Sequence, residues 1–316
     1  MPTALLLAGQ GSERVGMAAE SAAGCAGCHE AFLTADRTLD QPLSRLMTEG
    51  PEDVLRQTQT AQPALLTLGV AQGRHLLARG IGPVAVAGHS LGQYTALVLA
   101  GALAFEDALT LVAARGRMMQ QAVPHGRGAM VAVSGLSREQ LVRVCDGAQE
   151  YGQVGVACFN APRRAVLSGD AAAVSAAAGA CWDEGGGTTE LPVSVPFHSE
   201  LLQPMLTGFA REVAATPVAD ARIPVVDNVT AQPLREATAI RRSLVDQVVA
   251  PVLFEESLRT LAALGARRFV GCGPGRAGLT FASLTLPGIR RMSFPEAAAA
   301  ESGAEGGGAH GGQVPA

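Results

Sequence analysis

Apolar positions in the first part of the chain alternate between short continuous runs and longer stretches with helical spacing. Residues 4–8 and 83–87 are unbroken apolar runs, the pattern of strands covered on both faces. Helical spacing fills most of the interval between them and resumes from 91 to about 122, so the reading is an α/β fold with a parallel sheet. At Pro124-His125-Gly126-Arg127-Gly128 a proline and two glycines interrupt the pattern. Beyond it the order becomes strand (129–133), helix (137–149), strand (154–159), strand (164–168), helix (170–185) and strand (189–195). This β-α-β-β-α-β order is the ferredoxin-like arrangement and predicts a small subdomain, 126–196, inserted into a larger domain made of 1–125 and 197–294. Short strands at 223–226 and 268–271 are expected to complete the main sheet, and a cleft should separate the two parts. Residues 295–316, rich in alanine and glycine without an apolar period, are expected to be disordered.

With 316 residues, 48% hydrophobic and 16% charged, the chain can bury a large core. A formal net charge of −4 gives no general attraction to nucleic acid or to an anionic membrane. All 24 basic residues are arginine, which excludes a Walker A lysine, a Schiff-base lysine and a kinase-type lysine together. The six cysteines are scattered, and reduced thiols are expected; Cys25 and Cys28 have CxxC spacing, but nothing completes a metal set, so no metal is expected. The first residues carry no basic flank before a short apolar run, and no window reaches the roughly 18 apolar residues of a membrane span. A soluble cytoplasmic protein is the expectation.

The sharpest chemical signal is Gly88-His89-Ser90-Leu91-Gly92, which follows the apolar run ending at Ala87. A Gly-x-Ser-x-Gly between strand and helix is the spacing of a nucleophile elbow, where the glycines permit a tight turn that presents the serine hydroxyl. Ser90 then needs a base. His198 follows the subdomain's last strand near the expected cleft, whereas His29 and His75 lie in helical stretches, His125 in a turn and His310 in the tail; His89 more simply braces the elbow. A lone histidine is more often structural, but the need of Ser90 for a base and elimination of the other histidines favour His198. For an oxyanion hole, the turn Gly9-Gln10-Gly11 after the first strand and the amide of Leu91 at a helix start are candidates, although Gly-Gln-Gly is by itself just a turn. Arg115 shares a helix face with Ala108, Leu111, Met118 and Ala122, while Arg117 points the opposite way. A buried guanidinium needs an anion, either a carboxylate of the protein or one on a substrate held bidentately.

Taken together, the elbow, the Gly9-Gln10-Gly11 turn, Arg115 in Ala114-Arg115-Gly116-Arg117-Met118-Met119-Gln120 and His198 in Val195-Pro196-Phe197-His198-Ser199 resemble the malonyl-CoA:acyl-carrier-protein transacylases, including polyketide-synthase acyltransferases. Thr60-Ala61-Gln62-Pro63-Ala64-Leu65-Leu66, Phe159-Asn160-Ala161-Pro162, Val226-Asp227-Asn228-Val229 and Gly271-Cys272-Gly273-Pro274-Gly275 look like further shared segments, and the match runs from residue 4 to about 280. The resemblance implies a hydrolase-like α/β core with a ferredoxin-like insert. It implies ping-pong transfer of malonyl from malonyl-CoA through a Ser90 ester to the phosphopantetheine thiol of an acyl carrier protein, with no further cofactor. His198 would be oriented by the backbone carbonyl of Gln247, Arg115 would bind the malonyl carboxylate, and Asn160 would contact substrate. Phe197 and Leu91 resemble malonyl-selective members, in contrast to the small residue and glutamine of methylmalonyl enzymes. Gln93 stands where the family often has glutamate, and Phe197 where the fatty-acid branch often has a small residue, so a discrete acyltransferase loading polyketide carriers in trans is expected. The rivals are a serine hydrolase acting on acyl carriers, against which Arg115 argues, and a non-catalytic docking module. Carrier docking has candidate arginine pairs at 163–164, 241–242, 267–268 and 290–291.

Overall fold

The computed structural model describes residues 1–22, 26–193 and 195–305. Eleven strands are described: β1 (Thr3–Leu7), β2 (Pro83–Gly88), β3 (Gly128–Ser134), β4 (Val154–Ala161), β5 (Arg164–Asp170), β6 (Gly187–Glu190), β7 (Val225–Val226), β8 (Pro233–Leu234), β9 (Val252–Leu253), β10 (Arg268–Cys272) and β11 (Arg290–Ser293). They form a six-stranded sheet in the order β11-β10-β1-β2-β7-β8 and a five-stranded sheet in the order β6-β3-β5-β4-β9. The fold is α/β. In the first sheet every pairing from β11 to β7 is parallel, and only β8 runs antiparallel at the edge. Helices cover it, which is why all five residues of β1 are buried and the strand reads as one apolar run without alternation.

Four strands of the second sheet pair antiparallel, and their side chains alternate between two cores. On β3, Val131 and Val133 face helices Arg138–Ala148 and Ala171–Asp183, whereas Met130 faces the core shared with the first sheet. A capping box, in which Ser137 accepts from the Gln140 amide and the Gln140 side chain accepts from the Ser137 amide, starts the first of these helices. The fifth strand, β9, comes from outside 126–196 and pairs parallel with β4 at Cys158 and Phe159. It ties the small sheet to the segment that also carries Gln247.

Two expectations need correction. The last strand of the small sheet does not run over 189–195, because β6 ends at Glu190. Leu191 adds one more ladder bond to Met130, and Pro192, lacking an N–H, cannot extend it; Ser194 lies outside the described residues. Nor is all of 295–316 without structure, since a helix spans Phe294–Glu305. The run Ala297–Ala300 has the strongest helix propensity, Glu296 accepts hydrogen bonds from the Ser293 amide (2.6 Å) and hydroxyl (2.8 Å) at the helix start, and Phe294 and Ala297 bury themselves against the core. Residues 306–316, and Cys25 of the CxxC pair, lie outside the described residues. Cys28 is disulfide-bonded rather than reduced, while Cys145, Cys158, Cys181 and Cys272 are free and buried. No described helix is long and apolar enough to cross a membrane.

Candidate active site

The end of β2 and the helix Gly92–Leu99 meet at a turn so tight that a Cβ on Gly88 would lie 1.8 Å from the Gly92 carbonyl carbon, and one on Gly92 2.3 Å from the Leu7 oxygen. Only glycine fits at either place. Ser90 between them adopts φ +50°, the left-handed conformation of a strained elbow. The turn projects Oγ into a cavity of about 820 Å³ between the two sheets, lined in part by Gln10, Leu91, Arg115, Asn160, Phe197 and His198.

His198 lies across this cavity, 4% exposed and itself at φ +57°. Its Nδ1 faces two backbone carbonyls, those of Gln247 at 2.8 Å and Ala250 at 3.2 Å, and so must carry the ring proton. Nε2 is then the lone-pair nitrogen, and Ser90 Oγ donates to it across 2.7 Å. Burial, reinforced by the Arg115 charge, pulls the imidazole pKa down to about 3, so the base is neutral and ready to accept a proton. Its orienting group is a carbonyl and not a carboxylate, which leaves the site without a fixed negative charge beside the imidazole.

Arg115 lies on the buried face of helix Phe105–Ala122, 1% exposed, while Arg117 is exposed. Among the described residues no carboxylate pairs with it. Nη1 donates to Gln62 Oε1 (2.9 Å), Nη2 to Gln247 Oε1 (3.2 Å), the guanidinium carbon sits 5.3 Å from the Tyr94 ring centroid, and Nε has no partner. Burial lowers its pKa, an effect partly offset by Tyr94. A cation so placed, with unused donors, is a receptor for an anion.

The Gln10 and Leu91 amides donate no hydrogen bond to any described residue. The Gln10 side chain reaches Thr58 and, through its Oε1, Gln62 Nε2, at 3.4 Å each. Asn160 lines the cavity with its Oδ1 committed to His89 Nε2 at 2.8 Å; His89, half-buried and edge-on to Phe254, thus joins the elbow to the small sheet. None of the four arginine pairs lines the cavity, whereas Arg56 and Arg276 do.

Sequence reasoning gave no role to Gln62, Gln93 or Asn228. Asn228 holds the elbow from below: its Oδ1 accepts the Ser90 amide (2.8 Å) and its Nδ2 donates to the Gly88 carbonyl (2.7 Å). The available signal was polarity out of place, since Gln62 interrupts a helix that is buried from Thr60 to Gly73 and Gln93 starts one that is buried throughout.

Residues 5–274 match the model of the acyl transferase domain family. The chain belongs to that family. The acyl transferase is 42% identical over 275 residues to the malonyl CoA-acyl carrier protein transacylase of Bacillus subtilis, a match covering 86% of this chain and 87% of the relative. Among solved structures it is similar to the malonyl CoA-acyl carrier protein transacylase of Coxiella burnetii, with TM-score 0.93, 36% identity and coverage of 96% and 97% of the two chains. It is also similar to a malonyl-transacylase solved in complex with its type II PKS acyl-carrier protein, with TM-score 0.89, 34% identity and coverage of 93% and 95%. The acyl transferase is therefore an enzyme of acyl transfer.

Proposed function

We propose that this enzyme moves a malonyl group from malonyl-CoA to the phosphopantetheine thiol of an acyl carrier protein by way of a Ser90 ester. The observation that carries the reading is a Ser-His pair sharing one cavity with a buried arginine that has no carboxylate partner among the described residues. The malonyl carboxylate would pair with Arg115 and so aim the thioester carbonyl at Ser90 Oγ. As Oγ attacks, its proton passes to His198 Nε2, and the Nδ1–H bond to the Gln247 carbonyl steadies the imidazolium. The oxyanion would be received by the free amides of Gln10 and Leu91. Collapse breaks the C–S bond, the departing CoA sulfur takes the proton from Nε2, and the ester remains. The carrier thiol then repeats the steps in reverse: His198 takes its proton, the new C–S bond forms and Ser90 leaves as the alcohol.

Phe197 and Leu91 line the cavity beside the reacting pair and would restrict room at the α-carbon, favouring malonyl over methylmalonyl. Asn160 would contact substrate from the small-sheet side. We read 126–196 as the ferredoxin-like insert of a hydrolase-like core, on the element order β3, helix, β4, β5, helix, β6. Similarity to a segment covering 13% of a Mycobacterium marinum phenolphthiocerol synthesis polyketide synthase, 41% identical, supports a place in polyketide as well as fatty-acid chemistry.

The test is intact-mass measurement after brief exposure to malonyl-, methylmalonyl- and acetyl-CoA, followed by a phosphopantetheinylated carrier. The expected result is a malonyl adduct on the native chain, none on Ser90→Ala, and discharge onto the carrier. Release of the adduct to water with carrier present would point to a hydrolase and overturn the proposal, as would equal labelling by acetyl-CoA.

A further inference from the structure

Arg115 is a buried cation whose nearest acceptors are neutral amides, and beneath the elbow lies a buried anion, Asp227, 2% exposed. Asp227 Oδ2 accepts from the Thr230 amide (3.0 Å) and hydroxyl (2.8 Å), and Oδ1 from the Ser243 hydroxyl and from Gln93 Nε2 (3.2 Å). These groups are all donors, so Gln93 must turn its nitrogen toward Asp227 and its oxygen away. That oxygen accepts from the Asn228 amide (2.8 Å) and from Gln247 Nε2 (3.3 Å). Gln247 is thereby oriented as well: Nε2 also reaches Asn228 Oδ1 (3.0 Å) and the Ser90 carbonyl (3.1 Å), which leaves Oε1 for Arg115 Nη2.

We propose that Asp227 is the remote counter-ion of Arg115, acting through the aligned carboxamides of Gln93 and Gln247. Each amide in this relay presents its N–H end toward the anion and its oxygen toward the cation, so their dipoles carry the attraction inward without placing a carboxylate where the substrate's must go. A direct Asp or Glu partner would neutralise Arg115 and occupy its donors. The relay instead holds the guanidinium in place by Nη2 and leaves Nε free. Asp227, Gln93 and the Gln247 side chain are positioning residues in this scheme, because they reach the substrate only through Arg115 and the elbow.

The identity of the chain at two positions follows from hydrogen-bond polarity. Gln93→Glu alone sets two carboxylates against each other, and Asp227→Asn alone removes the anion and can turn an N–H toward the Thr230 donors. Combined, Gln93→Glu with Asp227→Asn restores one negative charge. The carboxylate introduced at position 93 can then accept from the amide introduced at position 227 and from Ser243, Asn228 and Gln247.

The inference rests on the proposed malonyl transfer, and the experiment separates the two. Ser90 acylation rates with malonyl-CoA and acetyl-CoA are measured for the native enzyme, both single variants, the double variant and the milder Ser243→Ala. If the native enzyme takes no malonyl, the functional reading fails by itself. If it does, each folded single variant should lose at least tenfold in malonyl-over-acetyl preference, the loss appearing chiefly as a raised KM for malonyl-CoA, and the double variant should recover to within about threefold of native. Ser243→Ala should shift the preference in the same direction by a smaller factor, and it supplies the reading if a single variant does not fold. An unchanged preference in Ser243→Ala and in every folded single variant, or a double variant no better than the worse single, would overturn the relay.

Discussion

Replacing Arg115 with glutamine tests the reasoning where charge, burial and specificity meet. The guanidinium offers five N–H donors, and two go to Gln62 and Gln247, so a bidentate carboxylate can still be accommodated. In the variant, a malonyl carboxylate entering the same 1% exposed position would face no cation. Breaking one side of a buried charge pair costs about 3–5 kcal/mol, and about 1.4 kcal/mol is a factor of ten, so kcat/KM for malonyl-CoA should fall by roughly two to three and a half powers of ten. Acetyl-CoA has no carboxylate to strand, and its kcat/KM should change by less than about tenfold, or about 1.4 kcal/mol. The preference between the two donors therefore collapses.

Stability moves separately. The shorter amide introduced at position 115 can donate to Gln62 or to Gln247 but not readily to both, and an acceptor left without a donor costs about 1–3 kcal/mol, set against relief from burying a charge. Time courses of Ser90 acylation by intact mass at low donor concentration give kcat/KM for each donor, and a thermal melt shows that the variant is folded. Equal losses with malonyl and acetyl donors in a folded variant would make Arg115 a structural residue and refute the argument. Arg115→Lys provides a finer check: it keeps the charge but loses the fork, so its malonyl rate should fall between those of the native enzyme and the glutamine variant.

Acylation should hold its rate from pH 8 down to about 5, because His198 titrates near 3 in the folded protein, and a rate that fell with an apparent pKa near 6.5 would contradict this. Stability should behave differently: below 6.5 the unfolded chain binds a proton that the buried imidazole refuses, so stability present above 6.5 is lost as pH falls, by up to about 1.4 kcal/mol per pH unit. His89, whose pKa burial also lowers, adds in the same direction, and urea melts between pH 7.5 and 4.5 measure the sum. Phe197→Ser should raise methylmalonyl loading relative to malonyl at least several-fold in a mixed-donor competition read by mass; no change would remove Phe197 from selectivity. Gly88→Ala, with its Cβ 1.8 Å from backbone, should abolish soluble folded protein, whereas Gly179→Ala, in a helix with nothing within 4 Å, should stabilise by about 0.5–1 kcal/mol in a denaturant melt.

The parts of the site visible in sequence are those whose local setting is itself improbable. Gly88 and Gly92 bracket Ser90 because the turn closes on itself within five residues, and Arg115 sits in phase with Ala108 and Leu111 on one helix; both facts need only short-range geometry. The helix at Phe294–Glu305 escaped because its stability comes partly from Phe294 packing on distant His75, which the glycine-rich continuation of the sequence obscured. Strand β9 escaped because two residues carry no period at all. The carboxamides escaped for a deeper reason. Gln93 is 134 positions from Asp227 and 154 from Gln247, and an amide announces neither charge nor hydrophobicity to its neighbours in sequence. What it carries is direction, a donor end and an acceptor end, and that has meaning only once folding has chosen what lies on each side. A glutamine beside a nucleophile is then as informative as a charged residue, because swapping its polarity turns attraction into repulsion at 3.2 Å from a buried carboxylate. Gln93 and Asp227 are thus one structural statement written at two distant places, each uninterpretable without the other.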